Sequence, residues 1–351
     1  MKMKKTDIKS FELDELKEEL ILIGDQSFRA KQIYQWLHQK LIRKFSEMTN
    51  ISLKLQEKLE ERYDLITIEP IEVLTSKVDG TQKYLFQLPD GNVIESVLMR
   101  YKHGNSVCIS SQVGCRMGCR FCASTLDGLE RNLTSSEMLE QIYYIQKETN
   151  ERVSNVVVMG TGEPLDNYDN LLKFIKILTS AEGLNISQRN ITVSTCGLVP
   201  KMKELADEGF QITLALSLHA ANQEKRLELM PITNTYDIYQ AIDACKYYFE
   251  KTGRRITFEY SLVSGINDTH KDAMELAHLV KGINCHINLI PVNPIKERDY
   301  KQSEKKVLDN FRNKLEKCGI NVTIRREMGR DINGACGQLR KGYISKGEQI
   351  E

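Results

Sequence analysis

Cys115, Cys119 and Cys122 stand in the run Cys115-Arg-Met-Gly-Cys119-Arg-Phe121-Cys122, a C-x3-C-x2-C spacing with an aromatic residue just before the last thiol. Three thiolates this close can hold three irons of a cubane cluster. The fourth iron then has no protein ligand and stays open to a substrate or cofactor. A closed structural zinc site needs four ligands. No fourth Cys or His lies within a few residues of Cys122, and the nearest histidine before the run is His103. The donor set therefore favours a redox-active cluster with an open iron over structural zinc.

Two further cysteines have settings of their own. Cys108 falls in a strand-like run shortly before Cys115. Cys336 falls in Gly334-Ala-Cys336-Gly337-Gln-Leu, where glycines on both flanks leave an open thiol without the apolar neighbours a buried cysteine keeps. Arg325, Arg326, Arg330, Arg340 and Lys341 flank it in sequence, and positive charge favours the thiolate. Cys336 is thus a candidate nucleophile. Cys196, Cys245, Cys285 and Cys318 lack such surroundings and read as fillers of helices and strands. Gly160-Thr-Gly162-Glu163-Pro164 reads as a tight strand-to-helix turn. Its glycines permit close backbone approach, and its carboxylate can accept a hydrogen bond from a ligand ammonium. Ser194, Ser217 and Asn293 offer neutral hydrogen bonds suited to a ribose or a carboxylate, or else cap strand ends. His219 reads as structural unless its backbone is what binds.

These residues need a scaffold. Residues 10 to 64 read as helical, with apolar residues at helical spacing in Phe11, Leu13, Leu16 and Leu20, and again in Ile33, Trp36, Leu37 and Leu41. From Gln26 to Phe45 there is no acidic residue, while Arg29, Lys31, Lys40, Arg43 and Lys44 are interleaved with Tyr34 and Trp36. That pattern fits an RNA-facing helix pair or a helical cap with a solvated basic face. Residues 70 to 98 change to short strand-like runs with a hairpin turn at Pro89-Asp90-Gly91-Asn92. From Ser106 onward strand-like runs recur at 107–110, 155–159, 191–195, 212–218, 256–260, 286–290 and 321–324, with helical segments between most of them. Thr134-Ser-Ser-Glu137 reads as a capping box opening one of those helices. Repeated β-then-α units predict a parallel sheet with helical crossovers. Six or seven units fall short of the eight of a closed barrel, so the expected fold is α/β, a partial and laterally open (β/α)6-type barrel. The expected organisation is a helical accessory domain over 1–66, a β-hairpin extension over 67–104 and the barrel over 105–351. The candidate residues then gather at the carboxyl ends of the strands, where such folds place their chemistry.

Composition narrows the class. A chain of 351 residues with 41% hydrophobic content can bury a sizeable core. Its net charge is +1, so any surface for nucleic acid must be local. No apolar leader follows the basic start, and no 18-residue apolar stretch exists, so neither export nor membrane insertion is expected. Nine cysteines then point to reduced thiols in a cytoplasmic protein rather than a disulfide scaffold.

The cysteine spacing, with Phe121, resembles the radical S-adenosylmethionine (SAM) superfamily, whose fold is a partial barrel. The resemblance implies a [4Fe-4S] cluster whose open iron chelates SAM, and reductive cleavage of SAM to a 5′-deoxyadenosyl radical. Over nearly its whole length the chain resembles the RlmN family of dual-specificity RNA methyltransferases. The marks are Cys108-Ile-Ser-Ser-Gln-Val-Gly-Cys115, the cysteine run, Gly160-Thr-Gly-Glu-Pro164-Leu, Ser217-Leu-His219, Leu229-Met-Pro231, Gly265-Ile-Asn267-Asp268 and Asp331-Ile-Asn-Gly-Ala-Cys336-Gly-Gln-Leu. That family implies methylation of carbon 2 of an adenine, at position 2503 of 23S rRNA and position 37 of tRNA. It implies Cys336 as an S-methylcysteine carrier, Cys108 as the thiol that releases product through a transient disulfide, and Glu95 as proton acceptor. SAM contacts are implied for Gly162, Glu163, Ser194, Ser217, Leu218, His219 and Asn293. The implied partners are the two RNAs and a flavodoxin-type electron donor, with the enzyme a monomer. A related group that methylates carbon 8 of the same adenine shares both cysteines but tends to carry alanine where this chain has Pro164. Thr161 departs from the methionine found in many RlmN members. An RNA-binding protein with structural zinc, or an activase of glycyl radicals, would leave Cys336 without a use.

Overall fold

The alternation expected after Ser106 forms a single curved sheet. The computed structural model describes residues 5–294, 298–332 and Tyr343, so Cys336 lies outside the described residues. Seven parallel strands follow one another in sequence and in space: β4 (Gly104–Ile109), β5 (Val153–Val158), β6 (Ile191–Thr195), β7 (Thr213–Ser217), β8 (Ile256–Leu262), β9 (Cys285–Pro291) and β10 (Asn321–Ile324). Helices make each crossover, beginning with α4 (Ser135–Thr149), α5 (Tyr168–Thr179) and α6 (Val199–Asp207). Between β7 and β8 run two, α7 (Gln223–Leu229) and α8 (Ile238–Thr252). The crossovers end with α9 (His270–Leu279) and α10 (Lys305–Lys317). This is the partial barrel of six βα crossovers that the pattern predicts.

Local chemistry sets the element boundaries. Thr134 accepts the Glu137 amide at 3.2 Å while the Glu137 carboxylate accepts the Thr134 amide at 2.9 Å, so the expected capping box opens α4. Asp237 and Gln240 do the same for α8, which Gly253 closes in the left-handed region at φ 67°. The strands carry alternating or continuous apolar runs, such as Val156, Val158, Val193, Leu214 and Leu216, all buried between sheet and helices.

The segment before the barrel is not a separate hairpin. Strands β1 (Glu69–Thr75), β2 (Gln82–Gln87) and β3 (Val93–Tyr101) pair antiparallel and continue the barrel sheet, with β3 hydrogen-bonded to β4. The sheet thus has ten strands in the order β10 to β1. The register sets Val97 opposite Cys108 and Cys108 opposite Val157.

Helices α1 (Leu13–Leu22), α2 (Arg29–His38) and α3 (Leu53–Arg62) precede the sheet. Their apolar faces, including Leu16, Leu20, Ile33, Leu37, Leu55 and Leu59, join the barrel core through Met138 and Ile142 of α4. Polar contacts cross the same seam. Lys9 and Glu140 form a buried ion pair, and the His38 ring nitrogen Nδ1 lies 2.7 Å from the Tyr143 hydroxyl. The basic residues singled out in this region are largely occupied within the fold. Arg29 pairs with Asp25, Lys31 with Glu182 and Arg43 with Glu69, while Lys40 lies over the Trp36 ring. Among the described residues, no helix is long and apolar enough to cross a membrane.

Candidate active site

The cysteine run leaves the carboxyl end of β4 through the short strand Gln112–Gly114, which pairs antiparallel with Leu129–Asn132. Gly114 sits at φ +76°, and a Cβ there would fall 2.1 Å from the Gly128 carbonyl oxygen. Only glycine lets the chain close this loop, and the next amide, that of Cys115, donates to the same carbonyl at 2.7 Å. Inside the loop the Thr125 hydroxyl donates to the carbonyls of Cys119 (3.1 Å) and Cys122 (3.0 Å). The Arg120 amide donates to Leu229 at 2.9 Å and fastens the loop to α7.

All three thiols line an open cleft of about 210 Å³ at the carboxyl ends of the barrel strands. Burial pushes the Cys115 thiol up to about 12 and the Cys119 thiol well above its ordinary value. A metal must therefore displace their protons. Among the described residues no three His, Cys, Asp or Glu groups converge on one metal ion. Cys119 and Cys122 share one cluster with Met117 and Phe121, and Cys115 lines the same cleft, a donor set that suits a multi-iron cluster taking one thiolate per iron.

The second wall is the turn after β5. Gly160 donates its amide to the Ile109 carbonyl at 2.9 Å, and a Cβ at Gly160 would lie 2.6 Å from that oxygen. Gly162 sits at φ +113° with its absent Cβ 2.7 Å from Gln112. The two glycines thus press this turn against the chain leaving β4, and the Glu163 amide donates to the Gln112 side chain at 2.8 Å. Glu163 is buried. Its Oε1 accepts the Leu165 amide at 3.1 Å and its Oε2 the Cys196 amide at 2.8 Å. Burial raises its pKa, and the two amides only partly offset this. Among the described residues the carboxylate has no cationic partner, and it lines the cleft, where it can accept from a ligand cation.

The other strands close the bowl. Ser194 on β6 and Ser217 on β7 both line the cleft, their hydroxyls 3.4 Å apart. His219 lines it too, in the left-handed region at φ 54°. Its Nδ1 accepts the Ser261 amide at 2.9 Å, its carbonyl accepts from Asn267 at 2.7 Å, and its ring meets Phe121 edge-on at 4.6 Å. Burial drives its pKa down to about 3, so the ring is neutral. Leu218 is placed differently: its side chain lies in the core and its amide bonds Glu259 at 3.0 Å. Asn293 is exposed, two residues past β9, and does not line the cleft.

Several lining residues went unread in the sequence. Cys196, taken as filler, is a buried wall residue whose amide holds Glu163. Cys318, also taken as filler, is exposed at the end of α10. Glu259 on β8 is buried with its pKa raised by burial, opposed by the charge of Arg325, and Arg325 itself lines the cleft just after β10. An acid and a base at the inner positions of apolar strands was the available signal.

Cys108 lies outside the cleft lining but on the inner face of β4, 3% exposed. It packs with Val97 and Met99 of β3, Val157 of β5, Met159 just after it, and Met328 beyond β10. Glu95 shares that face of β3, since residues two apart on a strand point the same way. It is buried rather than solvent-facing and pairs with the equally buried Lys83 at 3.2 Å. The chain leading toward Cys336 is fastened nearby. Asp331 accepts from the Ser76 hydroxyl (2.6 Å) and the Lys77 amide (2.9 Å), and Asp79 accepts the Gly329 amide at 3.0 Å.

Comparison with known proteins gives this architecture a family. A sequence model described as the radical SAM superfamily matches residues 109–277, and one described as the ribosomal RNA large subunit methyltransferase N-terminal domain matches 6–65. The chain is 66% identical over 342 residues to a probable dual-specificity RNA methyltransferase RlmN of Lachnoclostridium phytofermentans, covering 97% of this chain and 96% of that protein. It is 66% identical over 339 residues to the protein of the same description from Lachnospira eligens, covering 97% of each. Among solved structures, a radical SAM methyltransferase from Sphaerobacter thermophilus superposes with a TM-score of 0.91 at 41% identity, over 95% of this chain and 98% of that one.

Proposed function

The chain belongs to the RlmN family of dual-specificity RNA methyltransferases within the radical SAM superfamily, and from that premise we propose that it methylates carbon 2 of adenine. The substrates are adenine 2503 of 23S rRNA and adenine 37 of tRNA. One observation carries the reading: three thiols and a buried, cation-seeking carboxylate share one cleft, with a fourth thiol, Cys108, on the inner sheet face.

Cys115, Cys119 and Cys122 would hold the [4Fe-4S] cluster. When bound, that cluster supplies the electron that splits SAM into methionine and a 5′-deoxyadenosyl radical. Glu163 accepts the SAM ammonium, and Ser194 and Ser217 hydrogen-bond its ribose or carboxylate. Neutral His219 holds Phe121 and the Ser261 backbone in place rather than moving a proton. The SAM roles of Leu218 and Asn293 rest on the family resemblance alone.

Cys336 takes a methyl group from one SAM by displacement and presents it as a thioether. After hydrogen abstraction, the carrier's methylene carbon adds to the adenine. Glu95 takes the ring proton, and the bound cluster would accept the adduct's unpaired electron. The Cys108 thiolate then attacks the Cys336 sulfur and breaks its bond to the methylene carbon, which gains a proton as methylated RNA leaves, and a disulfide remains between the two cysteines. A radical carrier is required because carbon 2 of adenine is electron-poor and does not attack a sulfonium. The apolar packing around Cys108 keeps its thiol out of water until Cys336 arrives. The target base must leave its stack, at a cost of a few kcal/mol that RNA contacts offset. Pro164, where the carbon-8 group tends to carry alanine, supports the carbon-2 reading. The enzyme works as a monomer in the cytoplasm, supplied with electrons by a flavodoxin-type donor.

The test is anaerobic reconstitution with iron and sulfide, then incubation with SAM, reductant and a 23S rRNA fragment, followed by nucleoside analysis. The expected product is 2-methyladenosine with 5′-deoxyadenosine. 8-Methyladenosine would move the chain to the related resistance group. Deoxyadenosine without any methylated base would refute the assigned substrate.

A further inference from the structure

Arg226 is a buried charge at the site for which the chemistry above has no task. It lies on α7, 1% exposed. Its Nη1 donates to the Thr233 hydroxyl at 2.7 Å, and its Nη2 donates to the carbonyls of Cys196 (2.6 Å) and Ser217 (3.4 Å). Its Nε is equally buried and has no hydrogen-bond partner among the described residues. Every partner is neutral. The buried acid next to it in the chain of contacts, Glu163, bonds the Cys196 amide and not the guanidinium.

A buried guanidinium without a counter-charge is costly, because desolvation is not repaid by carbonyls alone. Burial lowers the Arg226 pKa, yet an arginine stays charged in proteins. Such a charge is tolerable where negative charge arrives beside it. The neighbourhood says which charge that is. Cys196 packs in one apolar cluster with Cys119, Cys122, Met117 and Phe121. The Arg120 amide, in the middle of the cysteine run, bonds the carbonyl of Leu229, the last residue of Arg226's own helix. Formally, a cubane core of charge +2 with three thiolates carries −1, and −2 after one-electron reduction.

We propose that Arg226 is the counter-charge of the three-cysteine site, a fixed buried cation that stabilises the reduced cluster and so sets its reduction potential. The inference rests on the reading that Cys115, Cys119 and Cys122 hold that cluster. A cation acts more strongly on the −2 state than on the −1 state, so it raises the potential. It makes the one-electron reduction that precedes SAM cleavage accessible to a weaker donor.

The test is an EPR-monitored potential titration of the reconstituted, SAM-free protein, with iron per chain measured on every sample. Arg226→Gln keeps donors for the carbonyls but removes the charge. Arg226→Lys keeps the charge and loses the fork. Arg226→Gln should make the reduced state at least tenfold less stable, a fall of 59 mV for one electron, while Arg226→Lys moves the potential less than half as far. An unchanged potential in Arg226→Gln at wild-type iron content overturns the proposal. So does an equal fall in both variants, which would assign the effect to hydrogen bonds. Should Arg226→Gln fail to fold, Arg226→Lys decides alone: a fall of 59 mV or more overturns the proposal, and a wild-type potential supports it. Wild-type protein that takes up no iron would instead sink the cluster reading itself.

Discussion

Glu163→Gln separates the ligand role of the Gly-x-Gly-Glu turn from its structural role. The carboxylate accepts two amides, from Leu165 at 3.1 Å and Cys196 at 2.8 Å, one on each oxygen. Glutamine has one acceptor oxygen, so one amide must face an NH2 group, at a cost of about 1–3 kcal/mol to the loop. The ammonium of SAM loses a charge-assisted hydrogen bond worth about 1.5–3 kcal/mol, which is roughly 10–150-fold in affinity. An analogue of SAM lacking the amino group isolates the second effect. In wild-type protein, equilibrium dialysis under anaerobic conditions should find SAM bound roughly 10–150-fold more tightly than the analogue. In Glu163→Gln that preference should vanish. Loss of affinity for both ligands by one common factor would refute the ammonium contact and leave only the loop. A pH series adds an independent check. Burial raises the Glu163 pKa in the ligand-free protein, so ionising it costs stability as pH rises from the unfolded carboxyl's value through the raised one. SAM reverses that cost. Its affinity should therefore fall as pH drops through the raised pKa, and Glu163→Gln should abolish that slope.

Lys83→Met leaves Glu95 buried beside an apolar side chain and should cost about 3–5 kcal/mol in urea unfolding; adding Glu95→Leu should recover most of it. A double variant as unstable as the single would show that the pair is not the cause. Gly160→Ala puts a Cβ within 2.6 Å of the Ile109 carbonyl and should cost about 1–3 kcal/mol together with SAM binding; wild-type SAM affinity in a stable Ala variant would contradict the packed-turn account. Cys108→Ala should trap RNA as a covalent adduct on Cys336, visible as a mass shift after nuclease digestion. Free methylated RNA and no adduct would remove Cys108 from product release.

What could be read from the chain was what neighbours in sequence decide. The cysteine run, the Thr134–Glu137 capping box and the β-then-α alternation each lie within a few residues of their own cause. What escaped was set by contacts between distant segments. Lys83 meets Glu95 across a strand pair, and Lys31 and Arg43 pair with Glu182 and Glu69 from other segments, which neutralises part of an apparent basic face. Cys196 looked inert because its role is played by its backbone amide, which no side-chain pattern reports. Glu259 on β8 and Arg325 just after β10 come together only when the sheet curls. Leu218 shows the converse. Its place in a family motif suggests a ligand contact, but strand alternation turns its side chain to the core between two residues that line the cleft.

The continuous sheet gives these distant contacts a common purpose. β10 forms one edge, and β1, with the turn from Ser76 to Thr81, forms the other. The chain after β10 passes Arg325 at the cleft, lays Met328 on the apolar cluster of Cys108, and ends in the hydrogen bonds that Asp331 and Gly329 make to Ser76, Lys77 and Asp79. It therefore joins the two edges of an open barrel across the inner face that carries Cys108 and Glu95. In the proposed reaction the carrier thiol has to reach both the cleft at the strand ends and the resolving thiol on the sheet face. Anchoring the chain at Gly329 and Asp331 lowers the entropic cost of both encounters relative to an unanchored chain. The outer turn of the antiparallel extension supplies that anchor for the chain leading toward Cys336.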